Sequence, residues 1–194
     1  MEKHLFLTGP LGCGKSQALR SALGPSILGA GGFVTEIERR SDGSLLRCSL
    51  LPAAAAGGAE GFEALPYLDL SAPSPVHNSE IFRGEGVRLL QEAVWYPFAV
   101  LDGLGGFELL IPQFRATLTE LLNAELPLVG VLMDRKEAEA LCRRLGLSER
   151  VEANIAQLWK ALQADPDTRI ADLGGLHRKK SLRVLEQWIE EYAR

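Results

Sequence analysis

Gly9-Pro10-Leu11-Gly12-Cys13-Gly14-Lys15-Ser16 fills the spacing G-x-x-x-x-G-K-[ST] in full, and residues of these types at this spacing bind phosphate. Glycines let consecutive backbone N–H groups curl around phosphate oxygens, the lysine ammonium reaches the outer phosphates, and the serine hydroxyl is a ligand for Mg²⁺. The helical stretch KSQALRSALG that follows aims the positive end of its dipole and its first free N–H groups, Gln17 among them, at the same anion. The expected nucleotide contacts are therefore Gly9, Pro10, Leu11, Gly12, Cys13, Gly14, Lys15, Ser16 and Gln17. Cys13 stands beside a helix N-terminus, where thiol pKa values fall. It reads as a small side chain at a tolerant position in preference to a redox switch.

A phosphate loop of this kind needs a second acidic strand end to complete a magnesium site. AVLDGLGGFEL, residues 99–109, offers one: an apolar run that closes on Asp102. The expected metal set is Ser16 with Asp102, and the cofactor is Mg²⁺ with a nucleoside triphosphate, ATP or GTP. The residue after Asp102 is Gly103, which carries no group able to take a proton from water.

The elements that must position these residues follow from periodicity. His4 to Thr8 is a short apolar strand, and the helix after the loop stops at Gly24-Pro25. GGFVTEIERR and SLLRCSLLP flank Ser41-Asp42-Gly43, which reads as an antiparallel hairpin. Residues 52–78 are rich in alanine, glycine and proline and predict a poorly patterned surface loop, with one strand at Tyr67 to Leu70. A helix over Ser79 to Val94 leads to a strand at Phe98 to Leu101. A helix with Pro112 in its first turn spans Ile111 to Ala124, and LPLVGVLM is a buried strand. Asp134 and Glu137 have capping-box spacing for a helix ending at Gly146. Helices over Ser148 to Ala164 and Lys179 to Tyr192 are separated by a strand at Thr168 to Leu173. Alternating strands and helices predict an α/β fold with a mainly parallel central sheet, to which the hairpin adds antiparallel strands.

With 194 residues and 46% hydrophobic content, the chain suits one domain over residues 1–194. Its net charge of −4 is not gathered into blocks, so neither nucleic acid nor an anionic membrane is an expected partner. No segment reaches the roughly 20 apolar residues needed to span a bilayer. The three cysteines and three histidines lack disulfide-framework or zinc spacing, which favours a reducing cytoplasm and no transition metal.

The pieces GPLGCGKS, GGFVTEI before a hairpin, and DGLGGFEL together resemble the THEP-type nucleoside triphosphatases, small P-loop proteins. The more specific part is Gly32-Phe33-x-Thr35-Glu36 combined with Asp102-x-x-Gly105-x-x-Glu108; residues 52–78 match little. The resemblance implies a three-layer P-loop NTPase fold and hydrolysis of nucleoside 5′-triphosphates to diphosphate and phosphate. It also implies a glutamate directly after the magnesium aspartate as the water-activating residue, in a pattern Asp-Glu-Ile-Gly-Lys-Met-Glu. Here the glutamate and the lysine are Gly103 and Gly106.

A positioned general base contributes roughly 10²- to 10⁴-fold, whereas phosphoryl transfer rests mainly on positioning and charge stabilisation. Slow hydrolysis is the expectation. Lys15 supplies charge. Thr35 or Glu36 is a substitute for orienting water, against a polar hairpin face. Glu108 is another, against a helix-capping carboxylate. Arg144, with Arg143, falls where the family carries basic residues that stabilise transition-state charge, and Arg83 is an alternative; both also suit solvated helix positions. Two further readings stay open: a nucleotide-dependent switch or accessory protein without turnover, whose protein partner is unidentified, and a small-molecule kinase.

Overall fold

Strand β1 (His4–Thr8) is buried along its whole length, and its alternate side chains serve two different cores. Phe6 joins the cluster on one face, while Leu5 and Leu7 join the cluster on the other. A strand covered on both faces needs apolar residues on both, which is why Leu5-Phe6-Leu7, between the buried polar ends His4 and Thr8, reads as a continuous apolar run. The same division holds in β7 (Leu128–Leu132), where Leu128 and Leu132 oppose Val129 and Val131. The computed structural model describes residues 2–71, 75–147 and 149–194.

The remaining strands are β2 (Gly31–Arg39), β3 (Leu45–Pro52), β4 (Leu65–Asp69), β5 (Val76–His77), β6 (Ala99–Leu104) and β8 (Thr168–Asp172). They form one eight-stranded sheet in the order β5-β4-β3-β2-β6-β7-β1-β8. Pairings from β2 through β6, β7 and β1 to β8 are parallel, and those from β2 out to β5 are antiparallel. Helices α1 (Lys15–Leu23) and α6 (Arg178–Tyr192) cover one face, with Leu19, Leu23, Leu185 and Trp188 in its core. Helices α2 (Val87–Glu92), α3 (Pro112–Leu122), α4 (Arg135–Arg144) and α5 (Glu149–Ala164) cover the other through Leu90, Phe114, Cys142 and Ile155. The result is the expected three-layer α/β architecture.

Residues 52–78 depart from the expectation of a poorly patterned loop. Ala53–Gly57 forms a 3₁₀ turn, and β4 and β5 extend the hairpin into an antiparallel ladder. The free edge of β3 supplies backbone partners that local composition does not reveal. Tyr67 supplies burial, with its ring 4.9 Å from Phe82 and 5.5 Å from Phe107. The strand expected at Tyr67 to Leu70 is Leu65–Asp69; residues 72–74 lie outside the described residues. So does Ser148, the expected first residue of α5. The helix expected from Ser79 to Val94 is interrupted by a π-helical turn at Phe82–Gly86 and closes on a 3₁₀ turn at Ala93–Trp95.

Trp188 ties α6 to the sheet. It is fully buried, lies edge-on to Phe98 and donates its indole N–H to Lys3 O at 3.0 Å. That carbonyl also accepts from Leu128 N, so loss of the indole leaves it satisfied. Trp188→Phe is therefore expected to cost only about 1–2 kcal/mol, one hydrogen bond and some packing. Urea denaturation of the two proteins measures this, and a cost above about 4 kcal/mol would mean that the indole holds more than this contact.

Candidate active site

The phosphate loop leaves β1 at Thr8 and enters α1 at Lys15. Gly9, Gly12 and Gly14 have φ of 132°, 78° and 85°, a region that L side chains avoid and glycine adopts freely. Crowding adds to this at Gly9, where a Cβ would lie 2.9 Å from Asp172 Oδ1 and 3.0 Å from Gly174 N. Lys15 Nζ donates to Gly9 O and, at 3.0 Å, to Pro10 O. The ammonium thus lies over the mouth of its own loop.

Ser16 Oγ donates to Asp102 Oδ1 at 2.7 Å. This contact brings α1 to β6 and unites the two residues expected to hold metal. Asp102 is only 1% exposed. Burial pushes its carboxyl pKa up, opposed by the hydrogen bond from Ser16 and by the charge and hydrogen bond of Arg20. Arg20 donates through Nε and Nη2 to Asp102 Oδ2, at 3.2 and 3.0 Å, and through Nη2 to Thr35 O at 2.8 Å. Sequence reasoning missed Arg20. The available signal was its position four residues after Ser16, which puts both on one helix face.

Ser16 Oγ and the Asp102 carboxylate are hard oxygen donors, the type that Mg²⁺ accepts together with substrate phosphates and water. Their chemistry fits that ion. A bound Mg²⁺ neutralises phosphate charge and polarises the phosphoryl oxygens.

β6 does not end at Asp102. Its register with β7 shifts between Asp102 and Leu104, and Gly103 between them has φ 104°, a bulge of the type that glycine makes affordable to the backbone. A Cβ at position 103 would lie 2.6 Å from Thr35 Oγ1. Thr35 is 6% exposed, and its hydroxyl is 3.5 Å from the Tyr67 hydroxyl. The side chain of Thr35 thus closes the space in front of Gly103.

The other candidates separate. Glu108 is 3% exposed and accepts from Gly105 N at 2.6 Å and Gly106 N at 2.8 Å. Burial pushes its pKa up, against the pull of these backbone donors, and its visible task is to hold the turn after β6. Glu36 is exposed on β2, on the opposite side of the strand from Thr35 because successive side chains alternate. Arg144 is exposed in the last turn of α4. Among the described residues neither Glu36 nor Arg144 is hydrogen-bonded to Lys15, Ser16 or Asp102. Arg143 pairs with Glu152 at 2.8 Å and Arg83 with Glu80 at 2.9 Å. Gln17 borders a cleft of about 320 Å³ that is also lined by Ser16, Arg20, Ser21, Thr35 and Ile37.

Asp134 caps α4 as its spacing predicts, accepting from Lys136 N and Glu137 N. The Glu137 carboxylate does something else: Leu11 N donates to its Oε1 at 2.5 Å. Arg178 Nη1 donates to Cys13 O at 2.6 Å, so the loop is braced from two elements distant in sequence. A carboxylate on a loop N–H repels an incoming phosphate by about 1 kcal/mol at solvent-like dielectric. Glu137→Gln is expected to tighten nucleotide binding by about fivefold in a fluorescent-nucleotide titration. Weaker binding would mean that the carboxylate organises the loop for phosphate.

Fold and loop together define a P-loop nucleotide-binding protein. An NTPase family model matches residues 4–159. The chain belongs to this THEP-type NTPase family. Two solved structures share the fold. THEP1 from the hyperthermophile Aquifex aeolicus has a TM-score of 0.64 at 16% identity, with 98% of this chain and 99% of that chain covered. A human cancer-related nucleoside triphosphatase, solved in solution, has a TM-score of 0.62 at 18% identity, with the same coverage. No curated protein sequence gives a significant match.

Proposed function

We propose that this chain is a Mg²⁺-dependent nucleoside-triphosphate phosphohydrolase, releasing diphosphate and phosphate, and that it turns over slowly because residue 103 is glycine. The observation that carries the reading is the 2.7 Å contact between Ser16 Oγ and Asp102 Oδ1 at the foot of the Lys15 loop. In this reading the N–H groups of the loop and of the first turn of α1 hold the phosphates, except at Pro10, which has none, and at Leu11, whose N–H is engaged by Glu137; Lys15 neutralises charge on the outer phosphate, and Ser16 with Asp102 holds the metal. Family membership supports the nucleotide as substrate. The single sheet supports treating residues 1–194 as one domain, and the three unpaired cysteines support a reducing cytoplasm as its setting.

With Gly103 in place of glutamate, water activation falls to a hydroxyl or to the substrate's own oxygens. Of the substitutes named above, Thr35 is favoured because its side chain already lies against Gly103; Glu36, Glu108 and Arg144 lack such a placement. The same packing favours, as a second reading, a nucleotide-dependent switch that binds without turnover. Phosphate release from ATP, GTP, CTP and UTP with Mg²⁺ separates the two: release above a Lys15→Ala control supports hydrolysis, and binding without release supports the switch.

A further inference from the structure

We propose that Arg20 is a tethered internal cation that competes with divalent metal for Asp102, so that nucleotide binding by this chain depends only weakly on Mg²⁺. This rests on the nucleotide-site reading above and specifies how the site is regulated. Both oxygens of the carboxylate are engaged: Oδ1 by the Ser16 hydroxyl, and Oδ2 by two guanidinium donors at 3.2 and 3.0 Å. The third contact, Nη2 to Thr35 O at 2.8 Å, fixes the guanidinium between β6 and β2. Arg20 therefore does for Asp102 what a metal does, neutralising a side chain that is only 2% exposed.

Three features make this a competition and more than a structural latch. Arginine stays protonated throughout the working pH range, so its charge is permanent. A metal joining Ser16 and Asp102 meets a like charge on the neighbouring oxygen, and two cations must then share one carboxylate. Finally, the Arg20 side chain is 29% exposed and borders the 320 Å³ cleft, so the guanidinium has room to leave Oδ2 when an ion takes its place. Covalent attachment to α1 removes the entropic cost of recruiting an ion from solution.

The test measures binding of a fluorescent N-methylanthraniloyl-ATP in EDTA and in Mg²⁺, and Mn²⁺ binding without nucleotide by electron paramagnetic resonance. Wild type, Arg20→Gln and Arg20→Lys are compared. Wild type is expected to change its nucleotide Kd by about threefold or less between EDTA and Mg²⁺, and Arg20→Gln by about tenfold or more, a usual size for coupling between two ligands. Arg20→Lys, which keeps the charge, is expected to follow wild type. Mn²⁺ alone is expected to bind Arg20→Gln at least about tenfold more tightly than wild type. A wild-type metal effect above about threefold, or equal metal effects in wild type and Arg20→Gln, overturns the proposal. If Arg20→Gln does not fold, the wild-type ratio decides by the same threshold. If no protein binds nucleotide in either buffer, the nucleotide-site reading fails, and Mn²⁺ binding alone judges Arg20.

Discussion

Replacing Lys15 by alanine is expected to lower Mg²⁺-dependent phosphate release by at least about 10²- to 10³-fold, the cost of removing one charge-stabilising donor from a phosphoryl or acyl transfer site. The ammonium donates to Gly9 O and Pro10 O, so it serves both as the loop's closing contact and as the cation nearest the incoming phosphates. Truncation removes both roles, and binding is expected to weaken together with turnover. Lys15 lies at a half-buried position on α1 and its contacts are local. Stability is therefore expected to fall by only about 1 kcal/mol, the worth of an ordinary hydrogen bond. A phosphate-release assay beside a thermal melt separates the effects. Unchanged release in a folded Lys15→Ala protein would show that the loop is not the reacting site.

Placing at position 103 the glutamate that the sequence resemblance implies is expected to fail. Gly103→Glu places a side chain on a residue with φ 104°, a strain of about 1–3 kcal/mol. It also places a Cβ 2.6 Å from Thr35 Oγ1, and overpacking of a closed region costs a further 1–3 kcal/mol or so. The combined loss, about 2–6 kcal/mol, lowers Tm by roughly 6–18 °C for a chain of this length, with no gain in phosphate release. Adding Thr35→Ala relieves the contact but not the strain, so only part of the stability returns. A tenfold or greater gain in release by Gly103→Glu alone would show that the backbone at 103 can turn over to the family's conformation at little cost, and that only the carboxylate was missing.

Those two expectations differ in where they came from. The expectation for Lys15 was legible in the chain because a phosphate loop is local: its glycines, lysine and serine are set by backbone geometry within eight consecutive residues. Asp102 was legible for a related reason, since an apolar run closing on one acid stands out in the chain, although β6 continues past it to Leu104. The fate of Gly103 was not. Its bulge depends on register with β7 and on the Thr35 side chain of β2, both brought to it by tertiary pairing. The same holds for β5, two residues between Pro75 and Asn78 with little strand character until the edge of β4 offers them partners, whereas β4 was legible in part as the strand expected at Tyr67 to Leu70.

Among the acidic residues, spacing could name Glu36 and Glu108 as candidates and Glu137 as a capping-box partner of Asp134, but could not fix the contacts they make. Glu108 belongs to the backbone of its own turn, Glu137 to an amide of the phosphate loop, and Glu36 to solvent. A carboxylate's partner is decided within about 3 Å, a scale that sequence separation does not encode. The sequence by itself determined the α/β layering, the phosphate loop and the expectation that Ser16 and Asp102 meet, as their hydrogen bond shows that they do, because periodicity and short motifs act locally. Only the tertiary structure decided that Arg20 shares that aspartate and that Thr35 closes the space before Gly103. Both depend on side chains from α1, β2 and β6 meeting at one point, and long-range packing alone sets that meeting.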